Sequence, residues 1–83
     1  MTIIDNKEGK RFEHHVDGKI AFIDYILAKG KIFLTHTEVP KDLEGKGIAS
    51  GLVKSVLQEV KDRDLILVPM CPFVAAYIKR HPE

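Results

Sequence analysis

The hydrophobic period of the chain changes across one run, Val39-Pro40-Lys41-Asp42-Leu43-Glu44-Gly45-Lys46-Gly47-Ile48-Ala49. Before it, apolar and polar residues alternate as they do in strands; after it, apolar residues recur at helical spacing. The switch predicts an α+β fold with a mixed sheet. Arg11 to Val16 and Lys19 to Leu27 flank Asp17-Gly18, a two-residue hairpin signal in which both turn positions favour positive φ. Lys29-Gly30-Lys31 turns the chain into a third strand, Ile32 to about Val39, and Thr2 to Asp5 is an opening strand. A strict period of two puts Ile32, Leu34, His36 and Glu38 on one face of that third strand, with Phe33, Thr35, Thr37 and Val39 on the other.

Beyond the glycines, Ile48, Leu52, Val56 and Val60, with Ala49, Val53 and Leu57, form an apolar stripe. That helix is expected to end between Asp62 and Asp64. Leu65 to Val68 is wholly apolar, as in a strand covered on both faces. Pro72 to Arg80 reads as a second helix with Pro72 at its first position. The order is an antiparallel meander followed by helix, strand and helix. The right-handed crossover makes Ile32–Val39 and Leu65–Val68 parallel neighbours. Pro69 cannot donate a ladder hydrogen bond, so it either ends the strand or parts the pair into a cleft.

The glycine run reads either as a plain turn or as a phosphate-holding one. Gly45 and Gly47 leave room for another group to approach the backbone, and the following helix aims unpaired N–H groups and a positive dipole end at the same place. Lys46 adds a mobile cation or is a solvated surface lysine; Lys41 and Lys54 read as surface charges.

The 83 residues suit one domain with a modest core. A formal charge of +1 with interspersed signs argues against a nucleic-acid-binding face. No apolar run reaches membrane-spanning length and the N-terminus carries no signal-peptide pattern, so a small soluble protein without a membrane partner is expected. The lone cysteine excludes an internal disulfide framework and points to the cytoplasm. His14 and His15 are adjacent in a strand and face opposite sides, so they do not form a metal pair.

Glu44-Gly45-Lys46-Gly47-Ile48-Ala49 resembles the acyl-CoA pyrophosphate loop of the GCN5-related N-acetyltransferases, Gln/Arg-x-x-Gly-x-Gly/Ala. His36-Thr37-Glu38-Val39-Pro40, the glycine run, Cys71-Pro72-Phe73 with Tyr77, and His81-Pro82-Glu83 together are similar to the small members of that group, which lack the usual N-terminal helices of the acceptor site. The resemblance covers nearly the whole chain. It implies a minimal acetyltransferase-like fold with a splayed parallel strand pair. It also implies binding of acetyl-CoA, with backbone N–H groups from about Gly45 to Ala49 holding the pyrophosphate and the Val39 backbone pairing with the pantetheine amides. Glu44 stands where the larger superfamily has Gln or Arg, and its carboxylate must point away from the phosphates or be paired.

Cys71 is the leading candidate for chemistry. It precedes Pro72 and so occupies the start of the last helix, where the dipole favours thiolate; the alternative is a buried, inert cysteine. The small family members have a cysteine at the matching place, which implies an acetyl-cysteine intermediate or a contact to the thioester. His36 and Glu38 share a face near the strand end, and either is a candidate general base for an amine or for Cys71, or merely a solvated side chain. Tyr77 resembles the tyrosine that protonates the departing thiolate, or packs at i+4 on Phe73. Two functions follow: an acetyl-CoA-dependent N-acetyltransferase acting on an unidentified amine, with a protein amine or another large acceptor as an option, or a CoA-binding or interaction module without efficient turnover.

Overall fold

A computed structural model describes residues 1–81; Pro82 and Glu83, the end of the family-like tail, lie outside the described residues. These residues form five strands, β1 (Ile4–Asn6), β2 (Arg11–Val16), β3 (Lys19–Ala28), β4 (Lys31–Glu38) and β5 (Ile66–Pro69), with helices α1 (Ile48–Asp62) and α2 (Pro72–Arg80). The strands lie side by side in chain order. The first four are antiparallel, and β5 runs parallel to β4 after the α1 crossover. The α+β architecture and the expected parallel pair are both present. Asp17 and Gly18 each have positive φ, 51° and 74°, as the tight β2–β3 hairpin requires. No helix of the described residues is long and apolar enough to cross a membrane.

One core lies between the sheet and the helices. Phe12, Ala21, Ile23, Tyr25, Ile32 and Leu34 come from the strands, Leu52, Val53, Val56 and Val60 from α1, and Val74 and Tyr77 from α2. The α1 residues are those of the apolar stripe, so helical spacing is what fixes the buried face. Burial contributes about 1.5–3 kcal/mol for each large aliphatic side chain, and this holds both helices on one face of the sheet.

The expected alternation along β4 fails at one residue. Tyr25 stands opposite Leu34 but Asp24 stands opposite His36, so Thr35 is an extra residue in β4. Its hydroxyl donates to the Asp24 carbonyl at 3.4 Å. A bulge of this kind resets the side-chain parity. Ile32 and Leu34 therefore face the core, whereas His36 and Glu38 fall opposite Asp24 and Phe22 on the face without helices. Thr37, opposite the buried Ile23, turns to the helix side. The grouping of Ile32, Leu34, His36 and Glu38 on one face is thus corrected.

The β4–β5 pairing runs from Lys31–Ile66 to Leu34–Pro69 and stops. The Met70 and Cys71 amides both turn onto the Leu34 carbonyl, at 3.0 and 2.8 Å. Two donors on one acceptor mark where the ladder closes, and β4 continues beyond it with no β5 partner. The bulge at Thr35 and the proline at position 69 occur together at this parting.

Candidate functional site

The loop after β4 begins with a single 3-10 turn, Lys41–Leu43, in which Leu43 is buried. An ion pair from Lys19 to Asp42 ties this turn to the start of β3, and Lys19 holds the Asp42 carboxyl below its ordinary range. Gly45 and Gly47 follow with φ of 80° and 73°. Side chains other than glycine rarely adopt this left-handed conformation. A Cβ placed on either would meet nothing within 4 Å, so these glycines face open space and are not packed against the protein.

Gly47 is the N-cap of α1, and no side chain caps the helix. The Gly47 carbonyl accepts from the Gly51 N–H at 3.0 Å, leaving the Ile48, Ala49 and Ser50 amides without intrahelical acceptors. The first turn contains no acidic residue. Val39, Glu44, Gly45, Gly47, Ile48 and Ala49 all line one cleft of about 220 Å³ at this helix start. Leu43, Ser50 and Phe73 complete it. That is below the roughly 300–1,000 Å³ of pockets that enclose a small molecule, so the cleft does not enclose a whole drug-sized ligand. Lys46 is exposed and does not line it.

Leu43, Ser50 and Phe73 were not singled out from the sequence as binding residues. Ser50 occupies the third helical position, whose amide is as free as those of Ile48 and Ala49, so counting one residue further reaches it. Phe73 stands at the second position of α2 and enters the cleft because α2 packs beside α1. Leu43 carries no sequence signal beyond being an apolar residue among the charged residues Lys41, Asp42 and Glu44.

Cys71 is the N-cap of α2 and only 4% exposed, packed in the core. Its Sγ lies 3.3 Å from Thr37 Oγ1. Burial pushes the thiol up, but the Thr37 hydroxyl and the Val74, Phe73 and Thr37 amides favour the thiolate and outweigh it, so its pKa is held below the ordinary value. No side-chain bond of cap geometry closes the helix start, so the helix amides act as a local positive field.

His36 Nε2 and Glu38 Oε1 are 2.8 Å apart, both side chains more than half exposed. The pair sits on the opposite side of β4 from Cys71. The structure therefore joins His36 to Glu38 and separates both from the thiol. Tyr77 is brought to neither place: it stacks on His81 at 4.3 Å between ring centroids and lines a separate groove with Lys54, Leu57 and Lys61.

A mixed sheet that opens beside a glycine turn and an uncapped helix defines a small α+β domain with a cleft of about 220 Å³ at that helix start. Residues 11–83 match the family described as GCN5-related N-acetyl-transferase, and the chain belongs to that family. It is similar to Protein NATD1 of Xenopus tropicalis, 33% identical over 66 residues that cover 80% of this chain and 60% of the relative. The Homo sapiens protein of that name is 35% identical, with 80% and 58% covered. That of Danio rerio is 28% identical over 86 residues, with 100% and 78% covered. The chain thus spans about three fifths of the first two relatives' length.

Proposed function

We propose that this chain binds acetyl-CoA in the glycine-turn cleft and transfers the acetyl group to an amine. The observation that carries the reading is the convergence of Val39, Glu44, Gly45, Gly47, Ile48 and Ala49 on one cleft at an uncapped helix start. The residues present fit the group. The Ile48, Ala49 and Ser50 amides are unsatisfied donors for a pyrophosphate, and the open space over Gly45 and Gly47 admits it. Glu44 is exposed and has room to turn its carboxylate to solvent. The β4 backbone beyond Leu34, free of β5, offers an edge for the amides of the pantetheine arm.

When bound, acetyl-CoA supplies an activated acetyl group as a thioester. The His36–Glu38 pair, on the open face of β4, takes the proton from an acceptor amine approaching on that face. A second route runs on the helix side, where the Cys71 thiolate, its sulfur held by Thr37, would attack the thioester carbonyl with CoA leaving as its thiolate; an amine entering on that side would then displace the Cys71 thiolate and take the acetyl group, without the His36–Glu38 pair.

Mass spectrometry after incubation with acetyl-CoA and a lysine-containing peptide tests both parts. Acetylated peptide supports transfer, and an acetyl group on Cys71, lost on addition of the peptide, supports the cysteine route. Binding of CoA with no acetylated product overturns the enzyme reading in favour of a CoA-binding module.

A further inference from the structure

At the other end of α1, about 22 Å along its axis at 1.5 Å per residue, a second pocket of about 350 Å³ opens between the β1–β2 turn and the end of β3. Beyond Asp24, β3 has no β2 partner; Ile26 and Leu27, half exposed at 53% and 51%, point to opposite faces there, and Leu27, on the face of Tyr25, gives the pocket its apolar wall. Lys7, Lys10 and Arg63 form the basic wall, and Tyr25 and Asp5 line it too.

The polar lining is held in place. Tyr25 donates its hydroxyl to Asp5 Oδ1 at 2.5 Å. Asp5 Oδ2, buried and without a hydrogen bond of good geometry, is paired in charge with Arg63 Nη2 at 2.9 Å. Arg63 Nε donates to Glu59 at 2.7 Å. The turn bearing the lysines is fixed as well. Asn6 Oδ1 accepts from the Gly9 amide at 2.9 Å, and Asn6 Nδ2 donates to Glu13 at 2.8 Å. Lys10 is held at φ 55°, with its carbonyl accepting from the Tyr25 amide at 2.9 Å.

Asp5 and Glu59 both pair with Arg63. Among the described residues neither Lys7 nor Lys10 has a carboxylate partner. Among the lining residues three cations stand against one carboxylate, Asp5, beside the apolar Leu27, in a pocket at the small end of the ligand range; Glu8, exposed on the same turn, does not line it. We propose that this pocket is a second ligand site, taking a small monocarboxylate with an apolar body: the carboxylate pairs with Lys7 and Lys10, and the hydrocarbon packs on Leu27. The proposal is independent of the glycine cleft.

The test is titration of the intact chain with hexanoate, followed by amide chemical shifts in nitrogen-15 spectra. Saturable shifts at Asp5, Lys10, Tyr25 and Leu27 are expected with a Kd of about 1 mM or below, while the amides from Gly45 to Ala49 stay unmoved. Hexanol and inorganic phosphate, each lacking half of the recognised chemistry, should bind at least about tenfold more weakly. The double variant Lys7→Gln, Lys10→Asn should lose about tenfold in hexanoate affinity with its spectrum otherwise native, since Asn tolerates the left-handed backbone at position 10. No saturation by about 20 mM hexanoate overturns the proposal. So does equal binding of hexanol or of phosphate, or unchanged affinity in the folded double variant.

Discussion

Thr37 Oγ1 stands 3.3 Å from Cys71 Sγ, a contact between residues 34 apart in the chain. It exists because the bulge at Thr35 turns Thr37, and not His36, toward the helices. The neighbour that stabilises the thiolate is therefore a hydroxyl, and the imidazole lies across the strand.

Replacing Thr37 by Val keeps the side-chain shape and removes the donor. The pH profile of Cys71 alkylation by iodoacetamide should move to higher pH, with slower labelling near neutrality. His36→Ala should leave the profile where it is. An equal shift in both variants would show that the imidazole reaches the thiol and that the bulge does not separate them.

The sequence made much of this architecture legible where local chemistry dictates geometry. The Asp17-Gly18 pair set the β2–β3 hairpin, Pro72 set the start of α2, and the stripe through Leu52, Val56 and Val60 set the buried face of α1. The glycine cleft was legible for the same reason, since its floor is a turn and a helix start built from adjacent residues. What stayed hidden depends on pairing between distant segments. Thr35 has the strand preference of its neighbours, so nothing local marks it as the extra residue. Its bulge decides the faces of His36, Thr37 and Glu38. Tyr77 was legible as helical, but whether it met the cleft depended on how α2 lies against α1.

Glu13 gives the protein an acid-labile anchor. It is buried on β2 and its carboxyl is pulled from an ordinary 4.5 to about 2 by hydrogen bonds from Asn6, His15 and Arg11. The folded pKa is depressed, so this contribution is complete above about 4.5 and is lost as pH falls toward about 2. Thermal unfolding followed across that window should show Tm falling with pH. In Glu13→Gln the acid limb should flatten, and stability at neutral pH should drop by about 1–3 kcal/mol. A variant with the same acid limb as the native chain would remove Glu13 as its cause.

Leu34 joins the core to the parting of β4 and β5: its side chain is fully buried and its carbonyl takes both turning amides. Leu34→Ala should cost about 2–5 kcal/mol. A chain of this length is expected to have about 4–12 kcal/mol in total, so the variant should be marginal. Urea unfolding reads this directly as a fall in midpoint at unchanged slope. A loss under about 1 kcal/mol would mean that the core collapses around the cavity and that the site is not tightly packed.

Gly47 separates the binding role of the glycine turn from its folding role. At φ 73° a valine would be strained by about 1–2 kcal/mol, so lost binding in Gly47→Val would be confounded by a disturbed turn. Asn tolerates this backbone conformation, and nothing in the protein lies within 4 Å of where its Cβ would stand. Gly47→Asn should therefore fold with near-native stability while its side chain fills the approach to the Ile48 and Ala49 amides. Calorimetry with acetyl-CoA should then show at least about a tenfold loss of affinity, with Tm little changed. Native affinity in the folded Gly47→Asn protein would mean that no ligand group approaches the turn that closely, and the acetyl-CoA reading of the cleft would fail with it.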